Sequence, residues 1–188
     1  MNESNIKNKV IIGYTIILFL MISVSTIAYN SIKSLIKTAH WVEHTHEVIE
    51  MGNRVGASMI DMETGERGFL ITGDESYLAP YYSGENAFDK YIHKAIILTS
   101  DNPAQIVRWK AIKEIKLKWN KEYAQATIKL RREVNEGNRA VINFKKITAR
   151  TLGKKLFNDI REKLKTLEIK SENNTALKTV INSLTLSL

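Results

Sequence analysis

Two small groups of side chains in this sequence could take part in chemistry. The first is His40 and His44, which lie four residues apart, a spacing that can place two metal ligands on one helix face. Glu43 and Glu47 lie beside them, but no third ligand is evident. We therefore predict no metal site, and we interpret the histidines as an exposed or interfacial pair near a membrane.

The second group lies in the run DMETGERGFLITGDESYLAPY, residues 61–81. Glu63 and Arg67 are four residues apart with the acid first, the favourable order for an ion pair on a helix. Ile60 and Leu70 share their face, so we expect the pair to be partly buried. Such a pair can fix helix register or contact a ligand, and the spacing leaves both interpretations open.

Catalytic motifs are absent from the sequence. It contains no Gly-rich phosphate loop, nucleophile elbow or carboxylate dyad. It also has no Cys, which excludes cysteine nucleophiles, thiolate metal sites and disulfides. We predict that the chain is not an enzyme, has no catalytic residue and uses no cofactor.

One long apolar segment lies near the N-terminus, at residues 10–29, VIIGYTIILFLMISVSTIAY. It has no charged residue, and as a helix it would be about 30 Å long, the hydrocarbon thickness of a bilayer. We predict a transmembrane helix. A cleaved signal peptide is the alternative, with Thr26 and Ala28 near the cleavage point, but apolar cores of signal peptides are shorter.

Flanking charge does not decide the orientation of this helix. Lys7 and Lys9 precede it and favour a cytoplasmic N-terminus, whereas Lys33 and Lys37 follow it.

Residues after the apolar segment have helical periodicity. A seam of alternating four- and three-residue spacings is formed by Trp41, Thr45, Val48, Gly52, Val55, Met59 and Met62. This helix should continue out of the membrane helix and end at Thr72, with Gly73 in the left-handed conformation. Asp74 or Ser76 can then cap a second helix that ends near Thr99 and Ser100.

Two further helices follow from similar signals. Asn102 and Pro103 should open the third helix, and residues 136–138, Glu-Gly-Asn, should end it. Its predicted apolar side is Ile112, Ile115, Trp119, Ala126 and Leu130. The fourth segment carries Phe144, Ile147, Leu156, Ile160, Leu164 and Leu167. The predicted fold is all-α, an N-terminal transmembrane helix continuous with an antiparallel four-helix bundle.

Charge is distributed unevenly over the chain, whose formal net charge is +8. Residues 30–102 hold 6 Lys and Arg against 11 Asp and Glu, whereas residues 103–170 hold 19 against 7. An acidic hairpin and a basic one attract each other, which favours their docking. Basic helices could also hold nucleic acid, but an exported domain would not meet it, so we predict no nucleic-acid partner.

Several of these runs resemble one family. Residues 41–48, WVEHTHEV, and residues 61–81 are similar to the signature of the third class of CHASE domains, sensory extracellular domains associated with cyclases and histidine kinases. The matching residues are His44, Thr45, Val48, Glu63, Thr64, Gly65, Arg67, Gly68, Phe69, Thr72, Gly73, Asp74, Tyr77 and Leu78. Residues 101–105 and 153–168 resemble the second half of the family. Phe69 stands where the family more often has Tyr.

The resemblance implies an all-helical sensor outside the bacterial plasma (inner) membrane, in a histidine kinase, chemoreceptor or cyclic-nucleotide-signalling enzyme. It assigns residues 1–9 to a cytoplasmic tail, 10–29 to the membrane helix and 30–170 to the extracytoplasmic sensor. Residues 171–188 form a helical tail compatible with the start of a second membrane helix, which its ten uncharged residues cannot complete. We therefore expect a fragment of a receptor whose output domain is absent from this chain.

The motif supplies candidate residues for ligand binding or signalling. They are Glu63, Thr64, Arg67, Thr72, Asp74 and Tyr77. The expected partners are membrane lipid, a second copy in a homodimer, and a small-molecule or protein stimulus. The alternative function is a stand-alone membrane-anchored helical protein that modulates another membrane protein by helix packing.

Overall fold

The computed structural model describes residues 3–137 and 151–185, and all regular structure in these ranges is helical. The elements are α1 (Glu3–Thr72), a 3-10 helix (Glu75–Leu78), α2 (Ala79–Leu98), α3 (Pro103–Trp119), a π-helix (Asn120–Ala124), α4 (Gln125–Asn135) and α5 (Thr151–Thr185). The all-α fold class is confirmed, while the antiparallel bundle order stays a prediction. Phe144 and Ile147 lie outside the described residues.

The chain divides into two compact units. The first comprises residues 1–44 and 174–188, and the second comprises residues 45–173. In the first unit, α1 contains an apolar window with a mean hydropathy of 2.4 and none of its residues buried. Within the described part of the chain, α1 is the one helix long and apolar enough to cross a membrane. Residues 29–34 are helical, as predicted.

Three of the hydroxyl groups in the apolar segment are satisfied inside the helix. Thr15, Ser23 and Thr26 each donate a hydrogen bond to the backbone carbonyl four residues earlier, at 2.8–2.9 Å. Hydrocarbon offers no hydrogen-bond partner, so an unsatisfied hydroxyl there would be costly. The three side chains therefore leave the segment compatible with lipid.

The second unit buries one apolar cluster drawn from α1, α2, α3 and α5, together with the π-helix and α4. The predicted seam of α1 is confirmed in its buried positions, which are Val48, Val55, Met59 and Met62. Trp109 and Trp119 are buried in the core as well. Because exposed ion pairs contribute only about 0–1 kcal/mol each, burial of this apolar cluster is the main stabilising contribution.

The π-helix changes which side of the third helical run is buried. Ala126 was expected on the apolar side, but it is exposed, and Ala124, Thr127 and Ile128 are buried instead. A π-helix has more residues per turn than an α-helix, so it shifts the buried face of everything after it. The prediction for Ala126 was wrong for this reason, whereas Ile112 and Leu130 are buried as predicted.

The turn between α1 and α2 forms where it was predicted. α1 ends at Thr72, and Gly73 has a φ of 77° and donates its backbone N–H to the Phe69 carbonyl at 2.7 Å. That φ lies in the left-handed region, which glycine adopts without a Cβ clash. Asn102 caps α3 by accepting from the Gln105 N–H at 3.2 Å, also as predicted.

Glycines allow α1 and α2 to approach closely at this hairpin. A Cβ on Gly65 would lie 2.5 Å from the Tyr81 backbone nitrogen, and one on Gly84 would lie 2.7 Å from the Ser58 carbonyl oxygen. Both obstacles are backbone atoms, which cannot swing aside. Gly65 and Gly84 therefore allow the two helix backbones to approach closely.

Substitution of Gly65 tests this contact. Gly65→Ala is expected to lower the free energy of unfolding by about 1–3 kcal/mol, because the backbones must separate. Gly52 is the control, since a Cβ there meets its nearest atom, Trp109 Cη2, at an ordinary 3.8 Å. Gly52→Ala should be neutral or add about 0.5–1 kcal/mol. Urea unfolding followed by circular dichroism measures both, and an equal response of the two variants would contradict the prediction.

Candidate functional site

Part of the predicted signalling motif builds the hairpin turn. The Thr72 hydroxyl donates to the Gly68 carbonyl at 2.9 Å and accepts from the Asp74 backbone N–H at 3.2 Å. The Asp74 carboxylate accepts from the Ser76 backbone N–H at 2.9 Å and caps the 3-10 helix. This backbone hydrogen bond from Ser76 lowers the pKa of Asp74 below its ordinary value. Thr72 and Asp74 therefore have a clear role in shaping the turn.

The same turn is tied to the end of α4. The Arg132 guanidinium donates to both Glu75 carboxylate oxygens, at 2.7 and 2.8 Å. Asn135 Nδ2 donates to the Gly73 carbonyl at 2.7 Å. The hydrogen bond from Arg132 lowers the pKa of Glu75, because it favours the ionised carboxylate. These contacts hold the tip of the α1–α2 hairpin against the C-terminal end of α4.

Two more motif residues lie on the surface of the hairpin. The Tyr77 side chain is about half exposed, and its ring packs over Gly68, where a Cβ would lie 2.7 Å from Tyr77 Cδ1. Thr64 is exposed on α1. Neither residue belongs to the lining of the cavity that includes Glu63 and Arg67. The structure therefore does not bring the six candidate ligand-binding or signalling residues together at one point.

Glu63 and Arg67 form a looser pair than expected. Arg67 Nη1 lies 3.8 Å from Glu63 Oε1, with the two side chains 50% and 32% exposed. The pair is partly buried, and of its two apolar neighbours Leu70 is buried whereas Ile60 is 48% exposed. At 3.8 Å the pair is too long for a hydrogen bond, so the guanidinium N–H groups are not committed to Glu63.

Both residues line a cavity of about 520 Å³ within the second unit. Its lining combines α1, the end of α3 with the π-helix, and α5, and comprises Glu63, Glu66, Arg67, Trp119, Tyr123, Gly153, Lys154, Phe157, Asn158 and Arg161. This volume is within the range of small-molecule pockets, about 300–1,000 Å³. The cavity is the candidate functional site of the chain.

The acidic residue at the base of this cavity was not predicted from the sequence. Glu66 is fully buried, and its Oε1 accepts a hydrogen bond from the Thr127 hydroxyl at 2.8 Å. A signal for it existed, because the seam spacing continues from Met62 to Glu66 and then to Phe69. Extending the seam by one step would have placed Glu66 in the core.

A second buried polar cluster joins α2 to α3 and was also missed. Lys116 is 1% exposed, and its Nζ lies 3.2 Å from Glu85 Oε1 and 3.4 Å from Asp89 Oδ1. Asn120 donates to Glu85 at 2.6 Å and accepts from the Tyr81 hydroxyl. Burial raises the pKa of Tyr81, so its hydroxyl remains a donor.

The chain thus combines an N-terminal apolar helix long enough to span a bilayer with a helical unit that contains a polar cavity. The family model of the CHASE3 domain matches residues 38–180. The chain therefore belongs to the CHASE3 domain family, a family of sensory domains found in signalling receptors. No curated protein and no solved structure matches the chain.

Removal of the Lys116 charge and removal of its two acidic partners should have unequal effects on stability. Lys116→Met should change stability by no more than about 1 kcal/mol, because its partners keep contact with water at 29% and 55% exposure. Replacing both partners, Glu85→Gln with Asp89→Asn, should cost about 3 kcal/mol, because the lysine charge stays buried. Chemical unfolding compares the two variants, and a larger loss of stability in Lys116→Met would show that the expected order is wrong.

The turn contacts predict a stability that depends on pH. The pKa of Glu75 is lowered in the folded state, so its contribution is complete above the ordinary value of 4.5 and is lost as the pH falls below it. Glu75→Gln should therefore lower the melting temperature at pH 7 and show a smaller further loss between about pH 5 and 3. Glu114→Gln, at an exposed position of α3, is the control and should follow the parent protein. Parallel curves of melting temperature against pH for the parent and Glu75→Gln would show that Glu75 does not contribute to the pH dependence of stability.

Proposed function

We propose that this chain is the sensor part of a membrane-anchored bacterial signal-transduction receptor of the histidine kinase or chemoreceptor type. Residues 45–173 lie outside the plasma membrane, and the apolar segment of α1 lies among its lipids. The receptor works as a pair of chains, and its output domain belongs to the part of the receptor inside the cell.

The observation that carries this proposal is the extent of α1. One helix, Glu3–Thr72, contains both the apolar segment and the start of the CHASE3 match, including the motif residues Glu63 to Thr72. A helix that is hydrogen-bonded throughout passes a shift or rotation along its length better than a flexible tether does. A stimulus that favours one of two arrangements of the helical unit would in this way reach the membrane.

Family membership supports the proposed orientation where charge does not. Lys7 and Lys9 on one side and Lys33 and Lys37 on the other leave the flanking charge balanced. CHASE3 domains are extracytoplasmic sensory domains, which favours an N-terminus inside the cell and residues 30 onward outside.

The absence of Cys makes the orientation directly testable, because a single introduced Cys is a unique label. Lys113→Cys lies on an exposed position of α3, and Asn8→Cys lies before the apolar segment. In intact cells a membrane-impermeant maleimide should label Lys113→Cys and leave Asn8→Cys unlabelled. After permeabilisation both variants should be labelled.

The opposite pattern would overturn the proposal. If Asn8→Cys is labelled in intact cells and Lys113→Cys only after permeabilisation, the helical unit lies inside the cell and cannot sense external stimuli. The parent chain without Cys is the control for non-specific labelling.

A further inference from the structure

Cationic side chains from two helices meet at the cavity of the candidate site. Arg67 comes from α1, and Lys154 and Arg161 come from α5. The acidic residues in the lining are Glu63 and Glu66. Glu66 is fully buried and hydrogen-bonded to Thr127, and Glu63 is 3.8 Å from Arg67. The exposed charges of the lining are therefore predominantly positive.

Aromatic rings form the apolar part of the same lining. Trp119 and Phe157 are 1% and 4% exposed, so the aromatic surface that the lining offers is the partly buried ring of Tyr123, whose centroid lies 6.1 Å from that of Trp119. The Arg161 guanidinium carbon lies 4.6 Å from the centre of the Phe157 ring. A guanidinium held against a ring keeps its planar donor edge for a carboxylate, with which it can form two parallel hydrogen bonds.

We propose that this cavity binds a small organic carboxylate with an aromatic or apolar body. The carboxylate pairs with the cationic side chains of Arg67, Lys154 and Arg161, and the body packs against the partly exposed ring of Tyr123. The volume of about 520 Å³ is sufficient for a ligand of this class. The assignment rests on the proposed function, since it names the stimulus class that such a sensor would bind.

The position of the cavity connects binding to the long helix. Glu63, Glu66 and Arg67 belong to α1, while the other lining residues belong to the later helical segments. A ligand that bridges Arg67 and Lys154 would therefore favour arrangements in which α1 and α5 lie close together. Ligands shift such equilibria only by their differential affinity for the two arrangements.

The test is isothermal titration calorimetry on the full chain in lipid nanodiscs. The probes are benzoate, phenylacetate and phenylpropionate, with benzamide as a neutral analogue and benzylamine as a cationic one. At least one carboxylate should bind saturably with one site per chain, and the amide should bind at least about 10-fold more weakly, because it lacks the charge that the cations recognise. Benzylamine should not bind.

Matched variants locate the site. Lys154→Gln should weaken carboxylate binding by about 10-fold, because one charged hydrogen bond is lost. Lys155→Gln makes the same change at the next, exposed residue, which is not part of the lining, and should alter affinity by less than about 2-fold. Arg67→Gln provides a second variant, and circular dichroism and melting curves show whether each variant folds as the parent does.

Three outcomes would overturn the inference. They are the absence of saturable binding by all three carboxylates up to about 10 mM, equal binding of benzamide or benzylamine, and equal effects of Lys154→Gln and Lys155→Gln. None of these measurements depends on which side of the membrane the unit occupies. Failure of the binding site and failure of the proposed sensor topology are therefore distinguishable.

Discussion

Several buried polar side chains of the second unit have their hydrogen-bond partners on other helices, and these pairings constrain how the helices pack. Glu66 of α1 is paired with Thr127 of α4, Lys116 of α3 with Glu85 of α2, and Gln105 of α3 with Ser171 of α5. Each of these three side-chain contacts joins a different combination of two helices. Sliding any of these helices by one turn would leave a buried polar group without its partner, so the pairs define which turns lie side by side.

The uneven charge of the chain acts through particular contacts rather than as a general attraction. Lys116 with Glu85 and Arg132 with Glu75 each join the basic residues 103–170 to the acidic residues 30–102. The first contact lies within the interface of α2 and α3, and the second lies at the hairpin tip. Apolar burial supplies most of the stabilisation, and these ion pairs set the alignment of the two halves.

Local signals in the sequence were sufficient to predict much of the fold. Gly73 and Asn102 mark helix boundaries because their own backbone conformation and side-chain chemistry determine them. The buried seam of α1 follows from the alternating four- and three-residue spacing of its residues. Continuing that spacing by one step reaches Glu66. Lys116 likewise lies in step with Trp109, Ile112 and Trp119, although its type suggested a solvent-facing residue.

Other features depend on contacts that no local pattern contains. The extra residue of the π-helix places Asn120 against Tyr81 and Glu85, so tertiary hydrogen bonds accompany it and residue preference does not predict it. The candidate cavity combines three separate stretches of chain, of which the motif supplied only one. The structure divides the motif residues between the hairpin turn and the cavity wall.

The contrast between the two interhelical ion pairs has a consequence for how the domain responds to ionic strength. Lys116 is 1% exposed, whereas the side chains of Arg132 and Glu75 are 43% and 57% exposed. Dissolved ions screen exposed charges over about 8 Å at physiological concentration and screen buried ones much less. A rise in ionic strength would therefore weaken the ion pair at the hairpin tip more than the Lys116 contacts of the α2–α3 interface, so dissolved salt acts on one end of the domain selectively.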